Sequence, residues 1–202
     1  MNNKVQNVLL GVLAVGLIGI TVAYAALTQQ LTINGTAKVA ATKWDVHFAN
    51  LSAGAATGYA STDGKTLAIA GDKSTSIEGN LGTLRAPGDT ITYTFDIENA
   101  GDINAVIDSV TGGQGVTCTS TTQSVADAVC KELTYSIKYT DGNTIAKGDK
   151  LAKATNSSTP TTKNVTLTLT YKATAESASL PSEDVTVTAN GMTINYVQDA
   201  NN

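Results

Sequence analysis

From residue 27 onward, apolar side chains recur at every second position. Ile91, Tyr93, Phe95 and Ile97 alternate with Thr92, Thr94, Asp96 and Glu98. Leu133, Tyr135, Ile137 and Tyr139 do the same, as do Val165, Leu167, Leu169 and Tyr171, and Trp44, Val46 and Phe48. A period of two puts one face of a strand on a core and the other in water, the signature of antiparallel sheets. Val185 and Val187 open a last run that Met192, Ile194 and Tyr196 continue on the opposite parity. A slip of one residue would turn every side chain to the wrong face. A bulge is therefore expected at Asn190-Gly191, and a turn or bulge near Ala40 to Thr42. Turn chemistry separates the runs: Ala86-Pro87-Gly88-Asp89 suits a type II turn, and Asp63-Gly64 and Asp141-Gly142 read as hairpin turns. Only Ser124 to Lys131 spaces its apolar residues for a helix. Many short strands and almost no helix predict an all-β protein, an antiparallel β-sandwich formed as one domain from about residue 26 to 202.

The N-terminus follows a different pattern. Lys4 precedes a largely apolar run from Val8 to Leu27, and Ala23-Tyr24-Ala25 places small residues where a signal peptidase reads them. This predicts a signal helix over residues 1–25, cleaved after Ala25 to leave Ala26 first. The alternative is an uncleaved anchor, because about 20 apolar residues can span a bilayer. Export changes how the two cysteines read. In an oxidising compartment Cys118 and Cys130 are most simply a disulfide, worth roughly 3 kcal/mol in the chain-entropy picture. There is no CxxC spacing to suggest redox or metal chemistry.

Composition narrows the function classes. Of 202 residues, 42% are hydrophobic and only 15% charged, with a net charge of −4. The acidic balance and the lack of any basic run argue against nucleic acid or an anionic membrane surface as partner. His47 is the only histidine, and it falls on the polar face of its strand, opposite Trp44, Val46 and Phe48. It is therefore expected to face solvent, with Trp44 in the core. Asp45 shares that face, but a metal site needs three or four ligands and no third is spaced for it. No catalytic residues, metal ligands or cofactor are expected, and the chain is not read as an enzyme.

The segment "TVAYA", the following strand "ALTQQLTING", then "NGTAKVAATKWDVHF" and "LGTLRAPGDTITYTFDIENAGDINAVI" together resemble the TasA/camelysin (CalY) family of secreted fibre proteins of Gram-positive bacteria. The Pro87-Gly88-Asp89 turn leading into a strand that ends at Asn99-Ala100-Gly101 carries much of the likeness, which covers about residues 15–110. The resemblance implies a jelly-roll domain, processing by a SipW-type signal peptidase, and head-to-tail polymerisation into filaments of an extracellular biofilm matrix or cell surface. The membrane would then be met only as a precursor. In such filaments the N-terminal segment of one subunit completes a sheet of the next. The metalloprotease label attached to some family members finds no HExxH here, and the cysteine pair and residues 112–131 depart from the family's best-known pattern.

Leu27, Leu31 and Ile33 form an apolar row that suits a donated strand over residues 26–35. The same residues also suit an ordinary first strand of the chain's own sheet. A monomeric surface adhesin or carbohydrate-binding module is the competing function. The first test is the mature N-terminus: the intact mass of secreted protein should match a chain starting at Ala26, within two residues, and a chain starting at Met1 would refute processing.

Overall fold

A computed structural model describes residues 32–33, 37–38, 42–62, 67–71, 74–156, 158–173 and 180–200. The chain divides into two compact units, residues 1–42 and 43–202. The expected signal segment and its cleavage residues Ala23, Ala25 and Ala26 lie outside the described residues, as do Leu27 and Leu31. In the first unit, β1 (Thr32–Ile33) pairs antiparallel with β2 (Ala37–Lys38), Ile33 opposite Ala37.

The larger unit is all-β with one short helix among its described residues. Its main sheet runs β10 (Leu133–Tyr139), β12 (Thr161–Tyr171), β7 (Thr90–Asn99), β3 (Val46–Ala49), with β4 (Ala55–Thr57) further along the same edge of β7. A second sheet runs β11 (Lys150–Leu151), β8 (Ala105–Gly112), β14 (Met192–Gln198). Two further pairs complete the described strands: β9 (Val116–Thr119) with β13 (Thr186–Ala189), and β5 (Ala68–Ala70) with β6 (Ser76–Glu78). All pairings are antiparallel.

The period-two pattern explains the core. In β7, Ile91, Tyr93, Phe95 and Ile97 are buried, and in β12, Val165, Leu167, Leu169 and Tyr171 are. Register sets Phe95 against Val165, Tyr93 against Leu167 and Ile91 against Leu169, so directly opposed apolar pairs share one face. Ala105, Ile107 and Leu151 of the second sheet join this same cluster, which makes the arrangement sandwich-like. The buried Tyr93 hydroxyl donates to Leu81 O at 2.9 Å, so no polar tip is stranded.

The Ala86–Asp89 turn forms as the residues predict. Asp89 N donates to Ala86 O at 3.1 Å, and Gly88 takes φ +97°, a conformation glycine adopts without Cβ strain. Gly88 N donates to Tyr171 O at 2.8 Å and Tyr171 N to Asp89 O at 2.9 Å, fastening the turn to the end of β12. Asp141-Gly142 forms the expected hairpin turn, Gly142 N donating to Tyr139 O at 2.9 Å and Tyr139 N to Asn143 O at 3.0 Å, with Gly142 at φ +90°, but the returning segment does not continue as a strand of this sheet. The next strand, β11, crosses to the other sheet and pairs with β8. The Asp63-Gly64 turn and the parity change at residues 40–41 lie outside the described residues.

The helix, α1 (Gln123–Glu132), contains the segment flagged by its spacing. Asn190-Gly191 is more than a bulge in one strand. Gly113 N donates to Asn190 O and Gly191 O, while Asn190 N donates to Gly115 O at 3.1 Å. Both strands of the long ribbon break there, dividing it into β8–β14 and β9–β13. A Cβ on Gly112 would meet Gly191 O, so the crossing requires glycine.

Asp89 is 1% exposed and accepts three backbone N–H bonds: from Tyr59 at 2.7 Å, Arg85 at 2.7 Å and Ala86 at 2.9 Å. Burial pushes its pKa upward, but the N–H bonds from Arg85, Tyr59 and Ala86, with the Arg85 charge, outweigh this and hold it below the usual carboxyl value. A depressed folded pKa contributes stability that is complete above the unfolded value, ~3.9, and is lost as pH falls through the folded one. Asp89→Asn turns an NH2 group onto a backbone donor. It should destabilise by about 1–3 kcal/mol near neutral pH. In thermal unfolding the gap between Asp89→Asn and the parent should shrink as the medium is acidified below ~4; a gap independent of pH would refute the latch.

Candidate functional site

The described residues that carry chemistry do not assemble into a reaction centre. His47 Nδ1 lies 2.8 Å from Asp45 Oδ1, and Nε2 lies 3.6 Å from Glu98 Oε2. Both ring nitrogens thus face carboxylates, and the polar contacts of the imidazole among the described residues are to these two groups. The Lys43 ammonium, 2.6 Å from Asp45 Oδ2, is the main reason the Asp45 carboxyl is held below its usual range; burial opposes this and His47 adds to it. His47 was expected to face solvent, but it is half-buried among these ions. Among the described residues no group of three or more His, Cys, Asp and Glu could hold a metal ion.

Trp44 differs from expectation. Its parity with Val46 and Phe48 placed it in the core, yet it is 42% exposed. The pleat that enforces alternation begins only at Val46, so Trp44 stands ahead of the strand and escapes it. It borders a pocket of about 210 Å³ with His47, Asn195 and Tyr196.

The prominent feature is an apolar cleft of about 1150 Å³ between the sheets. The inner face of the main sheet forms its floor with Phe95, Tyr135 and Leu169, and β6 and the following loop supply Ile77 and Leu81. The opposite wall is the ribbon from Thr186 to Ile194, with Val187 and Ile194 turned inward and their neighbours Thr188 and Thr193 exposed. Burial raises the Tyr135 hydroxyl to about 12, so the floor carries no charge from it near neutral pH. Glu78, Arg85, Glu183 and Asp184 are the charged residues of the lining.

That wall is also a sheet edge. β14 pairs through one edge with β8, and β13 through one edge with β9; among the described residues no strand pairs with the other edge of either. Alternate N–H and C=O groups along such an edge are free to pair with an added strand. Its chemistry therefore calls for an extended segment with apolar side chains at every second position. The nine residues from Thr186 to Ile194 span roughly 30 Å of extended chain, interrupted between β13 and β14 at Asn190-Gly191.

Cys118 and Cys130 form the expected disulfide, with Cα atoms 5.8 Å apart. It joins β9 to α1 at one end of the cleft, where Ala126, Val129, Leu133 and Tyr171 form a second small core. Of the donor-strand candidates, only Ile33 falls among described residues, in β1. The cleft itself was not foreseen: it is built by residues distant in sequence, and the one local hint was the parity break at Asn190-Gly191. Compared with known proteins, the chain matches no family, no curated protein and no solved structure.

Proposed function

We propose that this protein is an exported structural subunit that polymerises head-to-tail into extracellular filaments, each subunit donating its N-terminal strand to the next. This is what the resemblance to the TasA/camelysin fibre proteins implies, with a jelly-roll reading of the sandwich, a SipW-like signal peptidase as processing partner, and a biofilm matrix or the cell surface as destination. One observation carries the reading: an apolar cleft is bordered by the β13–β14 edge, which among the described residues is paired on one side only. A secreted sandwich that exposes such an edge risks uncontrolled pairing unless pairing is its purpose. The row Leu27, Leu31, Ile33 has the period such an edge accepts, and the ten residues 26–35 slightly exceed the nine from Thr186 to Ile194. Donation to a neighbour is a heterologous contact that need not close, which is how a filament grows. Nothing in this reading calls for a cofactor or an enzymatic step.

A second reading has its own observation. Trp44, exposed beside His47 and Asn195, presents an aromatic face with polar neighbours, and such a surface suits a carbohydrate-binding module or adhesin.

Electron microscopy of the processed protein tests the first reading. Filaments are expected from the parent and not from a chain lacking residues 26–35, nor from Val187→Lys, which sets a charge on the inner wall of the cleft. Filaments from the truncated chain would rule out donation. A parent that stays monomeric at every concentration, while Trp44 fluorescence responds to oligosaccharide, would favour the second.

A further inference from the structure

We infer that the Cys118–Cys130 disulfide is a redox gate on the acceptor edge, leaving β13 ordered for strand addition only when it is oxidised. The inference rests on the strand-acceptor reading above. It starts from how little else holds this end of the cleft. The β9–β13 pair extends only from Val116↔Ala189 to Thr119↔Thr186, and a two-stranded ribbon this short is marginal alone. The helix beside it has ten residues, below the length at which isolated helices persist in water. Its N-cap residue Thr122 makes no side-chain capping bond, and no acidic residue occupies its first turn.

The covalent bond lies where these two weak elements meet the cleft. Cys118 stands directly opposite Val187 in the β9–β13 register, and Val187 is an inner-wall residue of the cleft. Cys130 sits on α1, whose Val129 also lines the cleft. Cys118, Ala126, Val129, Leu133 and Tyr171 are the buried members of the small core, and Val185 and Val187 pack against them. Two polar contacts complete the attachment: Thr122 N to Glu183 Oε1 at 2.6 Å, and Gln123 Nε2 to Cys118 O at 3.2 Å. Helix, β9 and β13 are therefore one local unit, and the disulfide is its only covalent cross-link. The buried residues of the main core over β7 and β12 form their own cluster, joined to the small core through Leu84 and Val116, which pack against both, so opening the bond acts first on the edge.

The step is thiol–disulfide exchange. One cysteine thiolate attacks an external low-molecular-weight disulfide and releases one thiol. The second cysteine displaces the other half, releasing a second thiol and closing Cys118–Cys130. The protein loses two electrons and two protons, and the small disulfide takes them up. A chain held reduced before export would thus carry an incompetent edge and become an acceptor in an oxidising medium.

The test uses the full processed chain in three forms: oxidised, reduced with a dithiol, and Cys118→Ser/Cys130→Ser. A labelled synthetic peptide of residues 26–35 is titrated into each, and amide exchange is followed at Thr186–Ala189 and at Ile91–Ile97. Loss of the bond should speed exchange at Thr186–Ala189 by about a hundredfold and leave Ile91–Ile97 protected. Peptide affinity should fall by about tenfold or more, and re-oxidation with a small disulfide should restore the reduced parent but not the double variant. Equal peptide affinity in all three forms overturns the gate while leaving the acceptor intact. Loss of protection at Ile91–Ile97 also overturns it, because the bond would then hold the whole fold. If the oxidised chain neither takes up peptide nor assembles into filaments, the acceptor reading fails, and the gate with it.

Discussion

The pairing of β7 with β12 is the interaction on which the other elements depend. It runs unbroken from Thr90↔Thr170 to Asn99↔Thr161 and stacks Ile91, Tyr93 and Phe95 against Leu169, Leu167 and Val165 on one face. Each such side chain, fully buried, contributes about 1.5–3 kcal/mol of transfer free energy. The strands are long, the register has no bulge, and both ends are fastened. Asp89 gathers three backbone donors at one end. At the other, the buried amide of Asn99 donates to Ile103 O and accepts from Gly101 N. Every remaining strand of the main sheet attaches to one of these two.

Around this pair the fold becomes less self-sufficient. The second sheet reaches the same core with Ala105, Ile107 and Leu151, but its last ribbon is paired on one side only among the described residues. That asymmetry leaves an apolar cleft beside a strand edge. The chemistry follows from the backbone: an edge carries donors and acceptors that another strand can satisfy, and the inward side chains choose which strands fit. The His47 cluster has the opposite character. Asp45 is hydrogen-bonded to one ring nitrogen and Glu98 stands 3.6 Å from the other, so the imidazole is part of an ion network with Lys43.

The disulfide belongs to this less self-sufficient region. A short helix and a four-residue strand pair gain little from propensity or pairing alone. A covalent link between them compensates where apolar burial is small. Its position opposite Val187 couples that link to the edge itself.

Much of the architecture was legible in the sequence. Alternation over 91–97, 133–139 and 165–171 specified the strands and their inner faces, because a pleated strand must alternate and water penalises the wrong parity. Pro87-Gly88 specified a turn through backbone dihedrals, and the helical spacing of Val125, Ala128 and Val129 located α1. What the sequence could not convey was which strands meet. Asp141-Gly142 makes its turn as local rules require, yet tertiary packing sends β11 to the other sheet. Trp44 has core parity but lies ahead of the pleat that would enforce it. The cleft between Tyr135, Leu169 and Ile194 exists only once distant segments pack. Local pattern determines the face a residue presents, whereas partner and edge are set by long-range pairing, which depends on the whole chain at once.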